Sequence, residues 1–131
     1  MGLIARVNRD RAYKEELGET GFIKVREAEI ITVLANSKEP LTNREIANRM
    51  GYTGFYAPNA VKPRTSTMEK QYKILKEAGT KKDEVTGKNV TTYRLNDNRQ
   101  ELEEIKEMFQ KSKRFTNLID LIMRLLAGER I

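Results

Sequence analysis

Apolar residues recur at helical spacing along several stretches of the chain, and the breaks between them fall at Gly and Pro. Residues 25–36 carry Val25, Ala28, Ile30, Ile31, Leu34 and Ala35 at the spacing of an amphipathic helix. Ser37 to Pro40 ends it. Thr42 then stands as an N-cap with Glu45 three residues on, the two partners of a capping box, so a second helix opens there. Ile46, Ala47 and Met50 supply its inner face, and Gly51 takes the position just past its end. Residues 51–63 (GYTGFYAPNAVKP) read as a loop. Met68, Tyr72 and Leu75 at i, i+4 and i+7, with Ala78 on the same face, predict a third helix over about 65–78, stopped by Gly79. Upstream, residues 8–17 suit a short polar helix ending at Gly18.

Beyond Gly79 the period changes. Two short strands are expected at about 81–86 and 89–95, joined by Gly87-Lys88, with Val85, Val90, Thr91, Thr92, Tyr93 and Leu95 supplying β-branched and alternating positions. Helical spacing returns over 98–111 around Leu102, Ile105, Met108 and Phe109. The last segment, 116–127, carries Leu118, Ile119, Leu121, Ile122, Met123, Leu125 and Leu126, broken only by the charges of Asp120 and Arg124. A helix apolar on nearly every side has to be covered on more than one face. The chain's own core covers one face in this reading, and a second copy covers the other through Leu118, Ile119, Leu121, Ile122, Leu125 and Leu126. The expected architecture is mainly α with a small β-hairpin. It falls into an arm or short helix at 1–24, a central domain at 25–97 and a helical dimerisation region at 98–131.

Composition narrows the chemistry. The 131 residues contain no Cys and no His. That removes disulfides, thiolate zinc sites, cysteine nucleophiles, and the commonest general base and transition-metal ligand. No cofactor and no metal are expected. With no run of apolar residues long enough to span a membrane and no leader-like apolar stretch at the start, the sequence predicts a soluble, cytoplasmic protein. Lys and Arg number 25 against 19 acidic residues, a net charge of +6. The excess is concentrated: residues 60–94 hold nine bases against Glu69, Glu77, Asp83 and Glu84, or +5. A concentration of this kind favours a polyanionic partner over a merely solvated face.

The order of helix, helix, helix and hairpin resembles a winged helix-turn-helix domain. REIANRMG at 44–51 looks like the second helix and TSTMEKQYKILKEAG at 65–79 like the third. The run Tyr72-Lys73-Ile74-Leu75-Lys76-Glu77-Ala78-Gly79, with a polar hairpin ending in Tyr93-Arg94-Leu95, is similar to the ArsR- and MarR-like transcriptional regulators. The resemblance covers about 25–95. The chain departs from that pattern in the long connection between helices two and three, in Thr80, and in the carboxylate of Glu69.

The resemblance implies that the third helix enters a DNA major groove and that the hairpin is a wing. Thr65, Ser66, Thr67, Lys70, Gln71 and Lys73 are then the outward candidates. Gln suits adenine, Lys suits guanine acceptors, and hydroxyls suit either bases or phosphates. Arg64 ahead of the helix, and Thr42, Asn43 and Arg44 at the second helix, suit the phosphate backbone; Lys82, Lys88 and Asn89 on the hairpin suit a phosphate strand or the minor groove. A homodimer would place two such helices in successive major grooves, about 34 Å apart. The expected function is sequence-specific binding of double-stranded DNA by a dimeric transcriptional regulator.

Plainer roles stand beside these. Thr42 is first a helix cap, Lys73 and Lys76 also suit a solvated helix face, and Gln71 an exposed spectator. Tyr52, Phe55 and Tyr56 pin a long loop to the core more readily than they stack on bases, and Tyr93 packs the hairpin. Asp83, Glu84 and Lys88 have the wrong spacing for a nuclease, and Glu103, Glu104 and Glu107 read as surface pairing with Lys. No phosphate-binding loop of the GxxxxGK[ST] kind occurs. No enzyme is expected. Two other readings remain: a protein–protein adaptor on the same scaffold, and a replication-initiation or single-strand-binding role supported by the aromatic loop.

Overall fold

The computed structural model describes residues 25–129, so the arm expected over 1–24 lies outside the described residues. The first helix, α1 (Val25–Ala35), buries Ala28, Ile30, Ile31 and Leu34, the face that its spacing predicts. A two-residue strand, β1 (Leu41–Thr42), leads directly into α2 (Asn43–Arg49). Thr42 closes the capping box: its hydroxyl accepts from the Glu45 amide at 3.1 Å, and the Glu45 carboxylate accepts from the Thr42 amide at 3.0 Å. Gly51, at φ 101°, supplies the left-handed residue past the end of α2.

A single 3-10 turn (Ala57–Ala60) and then α3 (Lys62–Lys70) follow. The third helix thus starts earlier and ends much earlier than the expected 65–78. Pro63 explains the start, since proline suits the first helical turn, where its missing N–H leaves no bond unmade. The end is made by tertiary contacts. Lys73 adopts φ 58°, a left-handed backbone uncommon outside glycine. Buried Asn96 holds it there: its side-chain amide donates to the Lys73 carbonyl at 2.9 Å, and its backbone N–H donates to the Ile74 carbonyl at 2.9 Å.

Leu75, Lys76 and Ala78 therefore belong to a strand, β2 (Leu75–Lys82), not to the helix. It pairs antiparallel with β3 (Asn89–Leu95), and β3 pairs on its other side with β1, giving a three-stranded sheet in the order β1-β3-β2. Gly79, expected as a helix stop, sits at φ 106° in the irregularity between Glu77 and Thr80, where the β2 register shifts. The hairpin connection runs over 83–88, closed by the Asp83 amide on the Lys88 carbonyl and the Gly87 amide on the Asp83 carbonyl, both at 2.8 Å.

The chain continues as α4 (Arg99–Met108) and α5 (Lys113–Leu126), capped by the side chains of Asn98 and Ser112. The described residues thus form five α-helices with a small three-stranded antiparallel sheet, a mixed architecture rather than helices with a hairpin alone. The last helix is not apolar all round. Phe115, Leu118, Ile119, Leu121 and Ile122 form one broad face that the chain itself buries, with α5 packed on α1 and α4. Of the six residues expected to join two copies, Leu118, Ile119, Leu121 and Ile122 are fully covered, Leu125 is half-buried and only Leu126, 45% accessible, is exposed. Covered side chains have no apolar surface left for a second copy to bury, so the reading of these four as a dimer interface is withdrawn. Met108, expected inward, is exposed instead. Among the described residues no helix is long and apolar enough to cross a membrane.

Candidate nucleic-acid interface

The basic segment folds into two neighbouring elements, α3 and the β2–β3 hairpin, with a groove of about 470 Å³ beside them. Lys62, Asn43 and Pro58 line it from the helical side, and Thr80, Lys88, Asn89 and Thr91 from the hairpin. Strand alternation completes the hairpin wall. Thr80 pairs with Thr91 and Lys82 with Asn89, and residues two apart share a face, so Lys82 projects from the same face as Thr80. On α3, Thr65 and Met68 point into the core, so helical spacing turns Ser66, Thr67 and Lys70 outward. Lys70 is exposed, and Ser66 and Thr67 are half-buried.

The structure thus brings Ser66 and Lys70 together on α3 and sets Lys82, Lys88 and Asn89 on the hairpin, with Asn43 at the groove, while Thr67 turns toward Glu27 and Arg64. Other expected contacts serve the fold. Thr42 is buried as the α2 cap. The buried Thr65 hydroxyl donates to Asn43 Oδ1 at 2.7 Å, with the Lys62 carbonyl also within reach at 3.2 Å, which fixes the start of α3 against α2. Arg64 turns toward α1, 3.6 Å from Glu27. Gln71 caps the C-terminal end of α3, and Lys73 lies in the turn beyond it, off the helix face altogether. The Thr67 hydroxyl donates back to the Pro63 carbonyl at 3.0 Å.

Arg44 is the largest correction. Expected at the phosphate backbone, it is buried, and its guanidinium is occupied within the chain. Its Nε donates to Asp83 Oδ1 at 2.7 Å, and its two terminal nitrogens donate to the carbonyls of Gly54 and Phe55 at 2.9 and 3.0 Å. Asp83 also accepts from the Thr86 amide and hydroxyl at 3.0 and 2.9 Å. The Arg44 hydrogen bond, helped by those from Thr86, holds the Asp83 carboxyl below the usual aspartate value. One ion pair therefore ties α2, the 51–56 loop and the hairpin turn together.

A second pair braces the same corner. Lys81 Nζ lies 2.6 Å from Glu45 Oε2 and is held above its ordinary lysine value by that hydrogen bond. Tyr93, whose neighbours on the sheet wall include Thr91, is shifted upward, first by burial and then by the carboxylates of Glu77 and Glu69. Lys62 went unmarked among the expected contacts, although the Lys62-Pro63 pair carries the signature of a helix start. The loop aromatics divide: Tyr52 packs against the core, whereas Phe55 and Tyr56 are exposed rather than pinned.

The arrangement offers cations, hydroxyls and amides along an open groove. Among the described residues no group of three or more His, Cys, Asp or Glu is placed to hold a metal ion. Comparison of the chain with protein-family models, curated proteins and solved structures finds no match in any of the three.

Proposed function

We propose that this chain binds double-stranded DNA, with α3 presented to the major groove and the β2–β3 hairpin against the adjoining backbone, and that it acts as a transcriptional regulator. The observation that carries this reading is the groove that Lys62 and Lys88 line together, with Ser66 and Lys70 on the outward face of α3 and Lys82 and Asn89 paired on the hairpin. Long, flexible lysines neutralise phosphates, and hydroxyl and amide groups between them reach base edges or sugar. The order helix, strand, helix, helix, strand, strand supports the winged-helix resemblance as the frame for this contact.

The finer form of the proposal, two chains on a two-fold operator, would have to join the chains elsewhere than through Leu118, Ile119, Leu121 and Ile122. A direct test is amide mapping by NMR during titration with a short duplex. The reading expects shifts at Lys62, Ser66, Lys70, Lys88 and Asn89 and none along α5. Shifts spread evenly over every exposed lysine would overturn it.

A further inference from the structure

Phe55 and Tyr56 are 58% and 74% exposed. Single exposed apolar residues are ordinary on protein surfaces, but these two are adjacent and their backbone is fastened. Buried Arg44 donates to the carbonyls of Gly54 and Phe55, and Asp83 fixes Arg44 from the hairpin. On the other side, the Ala57 amide donates to the Gly54 carbonyl at 3.2 Å and the Asn59 amide to the Tyr56 carbonyl at 3.0 Å. The chain thus holds the loop in place while leaving both rings in water. A recognition surface of low ordering cost has this form.

The rings themselves stand edge to face, with centroids 5.0 Å apart and planes at 79°. That geometry leaves no slot between them for a base, so a flat partner stacks on an outer face, one at a time. A long single strand would need a series of such faces along a track. Lys62 and Lys88 supply the charge nearby: the groove that they line is also bordered by Arg44, which anchors the loop, and by Pro58, two residues beyond Tyr56.

We infer that Phe55 and Tyr56 form a stacking platform for one unpaired DNA base, at the boundary between a duplex held along the basic groove and a single-stranded extension. This rests on the duplex reading above and names the form of DNA that the site takes. An aromatic face accepts any base, because every base has a π-face, while the lysines hold the phosphates on the duplex side. A fully paired duplex offers the platform no unpaired base.

The test is fluorescence anisotropy with a blunt duplex, the same duplex carrying a short single-stranded extension, and the single strand alone. Wild type is expected to bind the extended duplex most tightly. Phe55→Ala/Tyr56→Ala should lose roughly 5- to 150-fold on the extended duplex, the range of one stacked base, and keep its affinity for the blunt one. Phe55→Leu/Tyr56→Leu should lose as much, and Phe55→Tyr/Tyr56→Phe should bind like wild type. A wild type that binds the blunt duplex but shows no preference for the extension overturns this inference alone. So does a leucine pair as good as wild type, or tightest binding to the single strand. Self-association abolished by the alanine pair with DNA binding unchanged would assign the rings to a second copy, and overturn it too. No binding of either duplex overturns the duplex reading, and this inference with it.

Discussion

The carboxylate of Asp83, at the start of the hairpin turn, lies 2.7 Å from the Nε of Arg44 on α2, and both side chains are buried. The pair joins two groups 39 positions apart in sequence, and the remaining donors of Arg44 reach the loop that leads to α3. Removing either partner leaves the other charge without its counter-ion in a place where water reaches it poorly. Arg44→Ala should therefore cost about 3 kcal/mol in chemical denaturation, a breach of the kind buried pairs show. It should also raise amide exchange over 51–60 before the rest of the chain opens. Unchanged exchange in that loop would mean that the guanidinium does not hold it.

Acid should loosen the same corner, and with it the Lys76–Glu101 pair that joins β2 to α4. Asp83 is held below its ordinary 3.8 first by the hydrogen bond from Arg44, and Glu101 below 4.5 first by the hydrogen bond from Lys76 at 3.0 Å. Each folded-state value lies under the unfolded one, so the unfolded chain binds more protons in acid. The stability that these groups contribute is complete above the unfolded values and is lost as pH falls through the folded ones. Denaturation midpoints should be level near neutrality and drop below about pH 4.5. Asp83→Asn should start lower at neutral pH and fall less on acidification. A parallel fall in wild type and variant would refute the assignment.

At Lys73 the left-handed backbone costs an L-residue roughly 1–2 kcal/mol relative to glycine. Lys73→Gly should recover part of that, less the added freedom of glycine in the unfolded chain. Thermal melts are expected to show a neutral to stabilised variant. Because Lys73 sits beyond the end of α3, its DNA affinity should fall little compared with that of Lys70→Ala. A large loss would return Lys73 to the contact surface.

Much of this fold was legible from local chemistry. The α2 start needs only Thr42 and Glu45, three residues apart, and the α1 face needs only its spacing; both are as expected. What was not legible depended on distant partners. Met68, Tyr72 and Leu75 keep helical spacing although the helix ends at Lys70, because each finds cover in a different way. Met68 is buried from the helix and Leu75 from the sheet, while Tyr72 packs against Phe109 and Phe115, with centroids 5.7 and 4.5 Å away. Asn96, 23 residues on from Lys73, enforces the turn, and no window around the helix contains it. β1 is two residues long and half of it is a helix cap, too short for any alternation to register. The same reasoning explains Arg44, where a phosphate contact was expected and a buried partner in the hairpin decided otherwise.

In α5, the covered and the exposed leucines should separate cleanly. Leu118→Ala should cost about 2–5 kcal/mol, as truncation of a fully buried side chain does. Leu126→Ala, at the exposed end of the helix, should cost well under that. Equal costs at the two positions, by urea titration, would contradict the packing of α5 on α1 and α4.

The measurement that tests the central claim most directly is duplex affinity across a salt series, read as the slope of log K against log salt. Each phosphate contact contributes about 0.9 to that slope. Lys62→Ala/Lys70→Ala should flatten it by between one and two such increments, while Lys111→Ala/Lys113→Ala, on exposed residues far along the chain near the start of α5, should leave it unchanged. Equal flattening by both pairs would reduce the binding to diffuse charge, and no flattening by the first pair would remove α3 from the interface.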